Sequence, residues 1–390
     1  MPIDSLMPRH SQTNEPSVQN REIRFLALWL GTVLVLVNNY WVNSTWNGFS
    51  LNALFINAIF ITFLLRLLNP MLKQVRERLA LRPSEMFLIY MMLVVATGAG
   101  GHDTLEMLAQ TIGYPFYFAT PENEWKELFF AYLPNGLMVK DKNILEGFYA
   151  TYNENFYEPE VFYRWLRPLL FWTAFLVVLY FCMLCINILF HKQWAERERL
   201  AFPIAQVPLG LIAPRFSILK DRFFWYGLSG ALILSLINGL HRLYPRFPGL
   251  TYGKFDLGGL FTERPWNAID VVYIEFLPFV MGLAFFIPVT LSLSIWFFYW
   301  FWKMEMVMGS VIGLHYLPGF PGYWTQGMGA VLFLFVLFLF WTKRHLVQVL
   351  KIVFRPTLSK DGSDRAQYTF AIVGLLFGMG FLVFFCSYAG

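Results

Sequence analysis

The sequence predicts an all-α, polytopic membrane protein with about eight apolar spans, some of them broken or re-entrant. Of its 390 residues, 57% are hydrophobic and 14% are charged, whereas about a quarter of the residues are charged in a typical soluble domain. The 42 Phe, 19 Tyr and 14 Trp suit a chain whose aromatic rings lie at membrane interfaces. The lipid bilayer is therefore the first partner that the composition indicates.

The basic residues indicate membrane topology rather than nucleic-acid binding. The net charge of +5 comes with short basic clusters beside apolar runs, which is the pattern of topogenic signals. The three cysteines also lie inside apolar runs, and Cys182 and Cys185 share a helix face with no His or third Cys nearby. We interpret both as small packing residues, and the sequence predicts neither a metal site nor a cofactor.

The chain begins with a polar stretch, residues 1–22, that contains three prolines and no apolar periodicity. This composition predicts a disordered cytoplasmic tail, followed by a helical membrane domain over residues 23–390. The first apolar run, residues 25–42, has no small-residue cleavage site behind it and should stay as a span. A second span follows at residues 51–68. The link at residues 66–84 is rich in Lys and Arg, which indicates that it lies in the cytoplasm.

The third span opens at Pro83 and ends with three glycines within four residues. Each glycine destabilises a helix interior by roughly 1 kcal/mol, and three ionisable residues follow at once. One interpretation is a glycine cap with a polar exit to water. The other is a helix break that exposes backbone groups to a solute. The candidate substrate-path residues of this segment are Gly98, Gly100, Gly101, His102, Asp103 and Glu106.

The largest extramembrane region, residues 107–166, is expected to form an external subdomain, because acids slightly exceed bases there. The region is rich in aromatic residues near its start, and residues 122–132 have the pattern of a short amphipathic helix. Two roles are open for it. One is a cover or gate over a substrate path, and the other is a rigid cap packed on the helix bundle.

A charged elbow follows the fourth span, residues 168–190. Four alternating charges precede an apolar segment, residues 200–212, which its prolines keep from forming a regular span. Such a segment can form part of a translocation site between helix bundles. The alternative is an ordinary loop, which can have the same sequence pattern. The elbow consists of Glu196, Arg197, Glu198, Arg199 and Pro203.

Three polar residues in the second half of the chain are further candidates for the substrate path. Asn238 and His241 are three residues apart, so they share a helix face near the outer end of a fifth span, residues 223–240. Glu275 lies within an apolar run, where a carboxylate is costly to bury and is a functional candidate by default. A position at the membrane interface is the alternative for Glu275.

The topology near the end of the chain leaves one choice open. Bases after the span at residues 328–341 favour the cytoplasm, so residues 271–312 either cross the membrane twice or re-enter it. A final span begins at Tyr368 and ends without a charged flank. We therefore expect the natural protein to continue beyond Gly390.

Five stretches of the chain carry a resemblance to a known family. They are Gly100-Gly101-His102-Asp103, residues 118–125, residues 192–199, residues 238–241 and residues 263–268. Together they resemble a family of large bacterial membrane proteins that is known only as a domain of unknown function. The resemblance covers nearly the whole chain and implies a bacterial inner-membrane location and further spans after the last residue.

A looser resemblance concerns the segment after the charged elbow. Leu200-Ala201-Phe202-Pro203 is similar to a segment of oligopeptide transporters, in which a run of small residues follows. Here Ile204-Ala205-Gln206 replaces that run.

These features favour a transporter, similar to an oligopeptide permease, that moves a small solute across the membrane. The alternatives are a membrane-embedded enzyme acting on a lipid-linked or periplasmic substrate, and a non-catalytic assembly subunit. An enzyme is less favoured, because the candidate acids and histidines show no recognisable catalytic spacing. The substrate, the coupling ion and the oligomeric state do not follow from the sequence.

Overall fold

The computed structural model describes residues 23–44, 55–150, 158–198, 202–212, 218–249, 255–275, 278–285, 287–355 and 362–389. The tail expected at residues 1–22 lies outside these ranges. The chain divides into two compact units. The first comprises Met1–His102 with Pro208–Phe216, and the second comprises Asp103–Val207 with Ser217–Gly390.

Three long helices dominate the first unit, namely α1 (Phe25–Ser44), α2 (Ile56–Val75) and α3 (Pro83–Gly100). Apolar side chains from α2 and α3 form its core, where Ile89 and Leu93 are fully buried. α1 packs closely against α3, since a Cβ atom on Gly31 would lie only 2.6 Å from Sδ of Met92.

The helix break predicted after the third span is present. After Gly101, whose backbone is extended, the chain forms one π-helical turn at His102–Glu106 and continues as α4 (Met107–Tyr117). Pro83–Tyr117 together form one candidate membrane span. The glycines therefore interrupt a helical segment that continues beyond them. Exposure of backbone groups to a solute at this break stays a prediction.

The region after α4 is held together by a small apolar cluster of Ile112, Val139, Leu145 and Trp165. It contains two short helices, α5 (Trp125–Leu128) and α6 (Lys142–Tyr149), and one 3-10 turn at Phe130–Tyr132. Burial raises the pKa of Tyr149 to about 12, so its hydroxyl stays protonated and donates to the carbonyl oxygen of Gln110. The external position of this region stays a prediction.

The amphipathic helix expected at residues 122–132 is wrong in its extent. The side-chain oxygen of Asn123 accepts hydrogen bonds from the backbone N–H groups of Thr120 and Trp125. These bonds hold a turn in front of α5, and Glu124 has a left-handed backbone there. The helix therefore begins later than its apolar pattern indicates and lasts one turn.

Two long helices pack along each other in the second unit, α7 (Pro159–Lys192) and α13 (Gly362–Ala389). Cys182 and Cys185 are buried between them, opposite Gly378 and Gly374. The sequence-based interpretation of both cysteines as small packing residues is confirmed. α12 (Tyr323–Phe354) joins this pair, and its buried His345 is 2.8 Å from the carbonyl oxygen of Leu189.

Between α7 and α12 the chain forms α8 (Pro203–Ile212), α9 (Arg222–Leu243), α10 (Pro278–Phe285) and α11 (Val289–Val311). Two short antiparallel strands, β1 (Phe255–Asp256) and β2 (Tyr273–Ile274), pair between α9 and α10. Lys303 of α11 is 3% exposed, and its ammonium group donates to the carbonyl oxygens of Ile269 and Val271 at 2.9 and 2.6 Å. These bonds hold residues 269–271, which directly precede β2, against α11.

Within the described residues, seven helices are long and apolar enough to cross a membrane. No residue of the most apolar window of α9 is buried within the chain, and helices that are apolar on every side need lipid or other helices around them. The chain therefore has the architecture of a multi-pass α-helical membrane protein, as the sequence predicts. The apolar stretch at residues 271–312 divides into α10 and α11, and neither is among the seven.

Candidate functional site

A buried cluster of neutral polar side chains joins the three long helices of the first unit. It consists of Asn38 on α1, Asn57 on α2 and Thr97 on α3, and all three residues are fully buried. Nδ2 of Asn57 donates to Oδ1 of Asn38 at 2.7 Å and to Oγ1 of Thr97 at 2.8 Å. Nδ2 of Asn38 also donates to Oγ1 of Thr97, at 3.0 Å. Each of the three helices therefore contributes one member of a continuous hydrogen-bond network, which we call the amide cluster.

The amide cluster lies toward one end of the three helices. Asn57 is the second residue of α2, while Asn38 and Thr97 each lie about 20 Å along their helices from the first residue, at a rise of 1.5 Å per residue. The three side chains are nevertheless fully buried among the helices. A polar group in that environment costs several kcal/mol unless it is hydrogen-bonded, and the bonds among the three helices meet this need.

The cluster sits beside the helix break. Gly100 is one helical turn after Thr97, and a Cβ atom there would lie 3.2 Å from Cγ and Oδ1 of Asn39. The absence of a side chain at Gly100 therefore lets α1 approach the end of α3. Because α3 ends at this point, its last carbonyl groups and the negative end of its dipole also lie at this level.

Two amide oxygens at this level have no hydrogen-bond donor among the described residues. They are Oδ1 of Asn57 and Oδ1 of Asn39, and both atoms are buried. The hydroxyl of Thr97 donates to the carbonyl oxygen of Leu93 at 2.8 Å, so each member of the amide cluster donates at least one bond within the protein.

The opposite ends of α1 and α3 carry a charged clamp instead. Arg24 donates from Nε to Oε1 of Glu85 at 2.7 Å and from Nη2 to Oε2 at 2.5 Å. It also binds the carbonyl oxygens of Arg78 and Ala80, and Glu85 is fully buried. Several charge-assisted bonds therefore tie this end of α1 to the start of α3.

The ionisable residues predicted after the glycines lie in the π-helical turn. His102 and Glu106 are half-buried and Asp103 is exposed, while Gly98 is half-buried and Gly100 and Gly101 are buried. π-helical turns are rare and are frequent at functional sites. The polar cavity that we expect at their mouth, with Asn238 and His241 as partners, stays a prediction.

The candidates of the second half of the chain have more ordinary surroundings. His241 is exposed near the end of α9, and its Nδ1 is 2.5 Å from the carbonyl oxygen of Phe247. Asn238 is half-buried on the same helix. Glu275 is exposed and directly follows β2, outside every candidate span. The place of Glu275 relative to the membrane stays a prediction.

The charged elbow is a second π-helical turn. Gln193–Arg197 continues α7 in this form and contains Glu196, with Glu198 next in the chain. Arg197 donates to the side-chain oxygen of Gln348 on α12 at 2.6 Å. Lys192 pairs with Asp364 at the start of α13, at 2.5 Å. The elbow thus fastens the end of α7 to two neighbouring helices, which is a structural role for these charges.

The remaining elbow residues divide between two places. Arg199 lies outside the described residues, and Pro203 opens α8. Leu211 and Ile212 at the end of α8 are buried, whereas Ile204 near its start is exposed. Ile212 belongs to the apolar core of the first unit.

The amide cluster is not among the candidates that the sequence predicts. Its members are single polar residues in apolar runs, and Asn38 and Thr97 stand near the ends of theirs. The available signal was the cost of an amide inside a membrane helix, which applies to Asn38 and Asn57 equally. Within the described residues, no group of three or more His, Cys, Asp and Glu side chains is arranged to hold a metal ion.

Comparison with known proteins places the chain in a family. No curated protein and no solved structure matches it, so the looser similarity to oligopeptide transporters gains no support. Residues 17–390 match the model of one protein family, which spans nearly all of the sequence. The chain therefore belongs to DUF6785, a family of unknown function.

Proposed function

We propose that this protein is a permease that carries a small polar solute across the membrane, along a path through the interface of α1, α2 and α3. The observation that carries the proposal is the amide cluster beside the helix break. Discontinuous membrane helices with polar residues at the break are the usual construction of transporter binding sites, because the broken helix offers free backbone groups inside the bilayer.

A purely structural network is the main competing explanation of the cluster. Hydrogen bonds between membrane helices stabilise association by roughly 0.6 kcal/mol on average, and such a network is best when every member is satisfied. Here the oxygen of Asn57 is fully buried and accepts no bond from the described residues. A ligand bound beside the cluster would give this open acceptor a partner.

The uneven fastening of the helices supports the same proposal. The charged clamp between Arg24 and Glu85 fixes one end of α1 and α3, while the other end holds neutral contacts and buried glycines. We expect two helices that are held by charged contacts at one end and by uncharged contacts at the other to separate by tilting about the charged end. Such a tilt would expose the amide cluster to one side of the membrane.

We further propose that the protein lies in a bacterial inner membrane with its N-terminus in the cytoplasm. The support is the basic stretch formed by Lys73 in the last turn of α2 and by Arg76 and Arg78 after it, which lies beside Arg24. Clusters of Lys and Arg favour the cytoplasmic face. The charged clamp is then the cytoplasmic end of the first unit, and the amide cluster lies toward the outer face.

Uptake into vesicles tests the proposal. Proteoliposomes with the protein are compared with empty ones for accumulation of labelled amino acids, small peptides and sugars. For a solute that accumulates, Asn57→Leu should lower the rate at least tenfold, because it removes both the donor and the open acceptor. Asn187→Leu is the matched control, since Asn187 is exposed and bonds only to Met183 of its own helix. Equal uptake by wild type and Asn57→Leu would contradict the proposed path.

A further inference from the structure

We propose that the pocket between the end of α7 and the start of α13 is a binding site for one aminophospholipid, whose headgroup carries a phosphate and a primary ammonium group. The site belongs to the second unit and does not depend on the proposed transport path. The pocket has a volume of about 540 Å³, which is the size of a small-molecule site. Its lining includes Lys192, whose ammonium group pairs with Asp364 at 2.5 Å.

The pocket is polar at one end and apolar at the other. On both helices the charged residues lie at the helix end, and an apolar run begins within the pocket. Ile188 lines it about 6 Å deeper on α7 than Lys192, and Phe370 about 9 Å deeper on α13 than Asp364, at 1.5 Å per residue. This change from polar to apolar matches a lipid where its headgroup meets its acyl chains, whereas a free zwitterion has no group for the apolar end.

The charges at the pocket select a zwitterionic headgroup over an anionic one. A headgroup with a net negative charge would face the carboxylate of Asp364 as well as the ammonium group of Lys192. Glu196 and Arg197 add one further charge of each sign, since Glu196 acts electrostatically on Lys192 and both act on Tyr368. A headgroup with one charge of each sign is attracted by both partners of the ion pair.

The ion pair also leaves hydrogen-bonding capacity of both kinds. The bond between Lys192 and Asp364 uses one of the three N–H groups of the ammonium and one carboxylate oxygen, Oδ2. A phosphate can accept from the other N–H groups, and a lipid ammonium can donate to Oδ1 of Asp364. His191 and Gln367 line the same pocket, and their side-chain N–H groups are further donors for the phosphate.

Thermal unfolding of the detergent-solubilised protein tests the site. The unfolding midpoint is measured at rising concentrations of phosphatidylethanolamine, phosphatidylcholine and phosphatidylglycerol with identical acyl chains. A bound lipid stabilises the folded state in a saturable way, so we expect phosphatidylethanolamine to raise the midpoint by about 2–4 °C. The ammonium group of phosphatidylcholine has no N–H, and phosphatidylglycerol has no ammonium group. Both should therefore bind at least fivefold more weakly.

Variants of the pocket locate the response. Lys192→Gln should lower the apparent affinity for phosphatidylethanolamine at least fivefold, because it removes the charge that faces the phosphate. Lys343→Gln is the matched control and should keep the affinity, since Lys343 is exposed on α12 and its ammonium group lies 3.9 Å from the ring of Phe340 on the same helix. Ala366→Trp fills the pocket from an exposed position without removing either charge. It should lower the affinity as much, and it decides the matter if Lys192→Gln does not fold.

Four results would overturn the lipid site. An equal response to the three lipids is the behaviour of lipid that only surrounds the protein. A stronger response to phosphatidylglycerol would indicate a site for anions. An undiminished affinity in Ala366→Trp would place the lipid elsewhere. Glycerophosphoethanolamine, the same headgroup without acyl chains, should leave the midpoint unchanged, and a full response to it would contradict a lipid as the occupant.

Discussion

The side-chain nitrogen of Asn57 donates to the hydroxyl oxygen of Thr97 at 2.8 Å, so the start of α2 and the end of α3 are joined by a buried polar contact. The same nitrogen also bonds Asn38 on α1. Through one amide, three membrane helices meet at the level where α3 is interrupted. The proposed path depends on this meeting.

Truncation of this amide should destabilise the first unit. Asn57→Ala removes both donated bonds and leaves Oδ1 of Asn38 buried without its donor, which costs about 1–3 kcal/mol. Chemical unfolding in detergent measures the loss. Asn187→Ala removes an exposed amide and should change stability by less than about 0.5 kcal/mol. If the two variants are equally stable, the cluster is not a connected network.

The charged clamp should stabilise the fold more than a solvent-exposed ion pair does, because Glu85 is fully buried. Glu85→Gln keeps the shape of the side chain but removes the charge opposite Arg24, and breaking a buried pair costs about 3 kcal/mol. We expect a lower unfolding midpoint and a lower yield of folded protein. Glu77→Gln, at an exposed acid in the same link, is the control and should behave as wild type. A stable Glu85→Gln protein would refute the clamp as the fixed end.

The packing of α7 on α13 gives a prediction with an internal control. A Cβ atom on Gly378 would overlap Sγ of Cys182, whereas nothing lies within 4 Å of the corresponding position at Gly380. Gly378→Ala should therefore destabilise by about 1–3 kcal/mol, and Gly380→Ala should not. Thermal unfolding measures both. Adding Cys182→Ala to Gly378→Ala should restore stability, because it removes the overlapping sulfur, and failure to restore it would contradict the packing.

Much of the helical fold follows from the sequence, because an apolar run of about 20 residues has few alternatives to a membrane helix. The extent of the third span does not follow. Its glycines and the polar residues from His102 to Glu106 look like an exit to water, and a π-helical turn leaves no periodic signal that distinguishes it from a helix end.

The amide cluster could not be predicted in its entirety. Asn38, Asn57 and Thr97 are far apart in the chain, and each alone resembles the polar end of a span. Their contact depends on the rotation of three helices about their axes, which is fixed by tertiary packing such as that of Gly31 on Met92. The cost of a membrane amide marks such residues as candidates, but only the packing brings them together.

Topology gives a prediction that also concerns α10 and α11. α9 begins after Lys220 and α12 ends among Lys343, Arg344 and Lys351, so the start of α9 and the end of α12 should both be cytoplasmic. The end of α9 and the start of α12 are then both external, so residues 271–312, which lie between them, begin and end on the outer face. We expect an impermeant thiol reagent to label cysteines at positions 140 and 316 from outside, and at position 73 only after permeabilisation. Labelling of 140 and 316 from opposite sides would contradict a re-entrant segment.

The most direct test of the proposed path is the reactivity of a cysteine at Asn39 from each side of the membrane. Asn39→Cys is placed in a Cys386→Ala background, because Cys386 is exposed whereas Cys182 and Cys185 are buried. Leu36→Cys is the control, since Leu36 is 67% exposed on the surface of α1 and should face lipid.

In right-side-out and in inside-out vesicles, a charged thiol reagent should modify Asn39→Cys at least tenfold faster than Leu36→Cys. Access from both sides is what a transport site requires, because it opens to each face in turn. Access from one side alone is the behaviour of an enzyme pocket. If Asn39→Cys reacts from neither side, or from only one, the account of the α1–α3 interface as a transport path is contradicted.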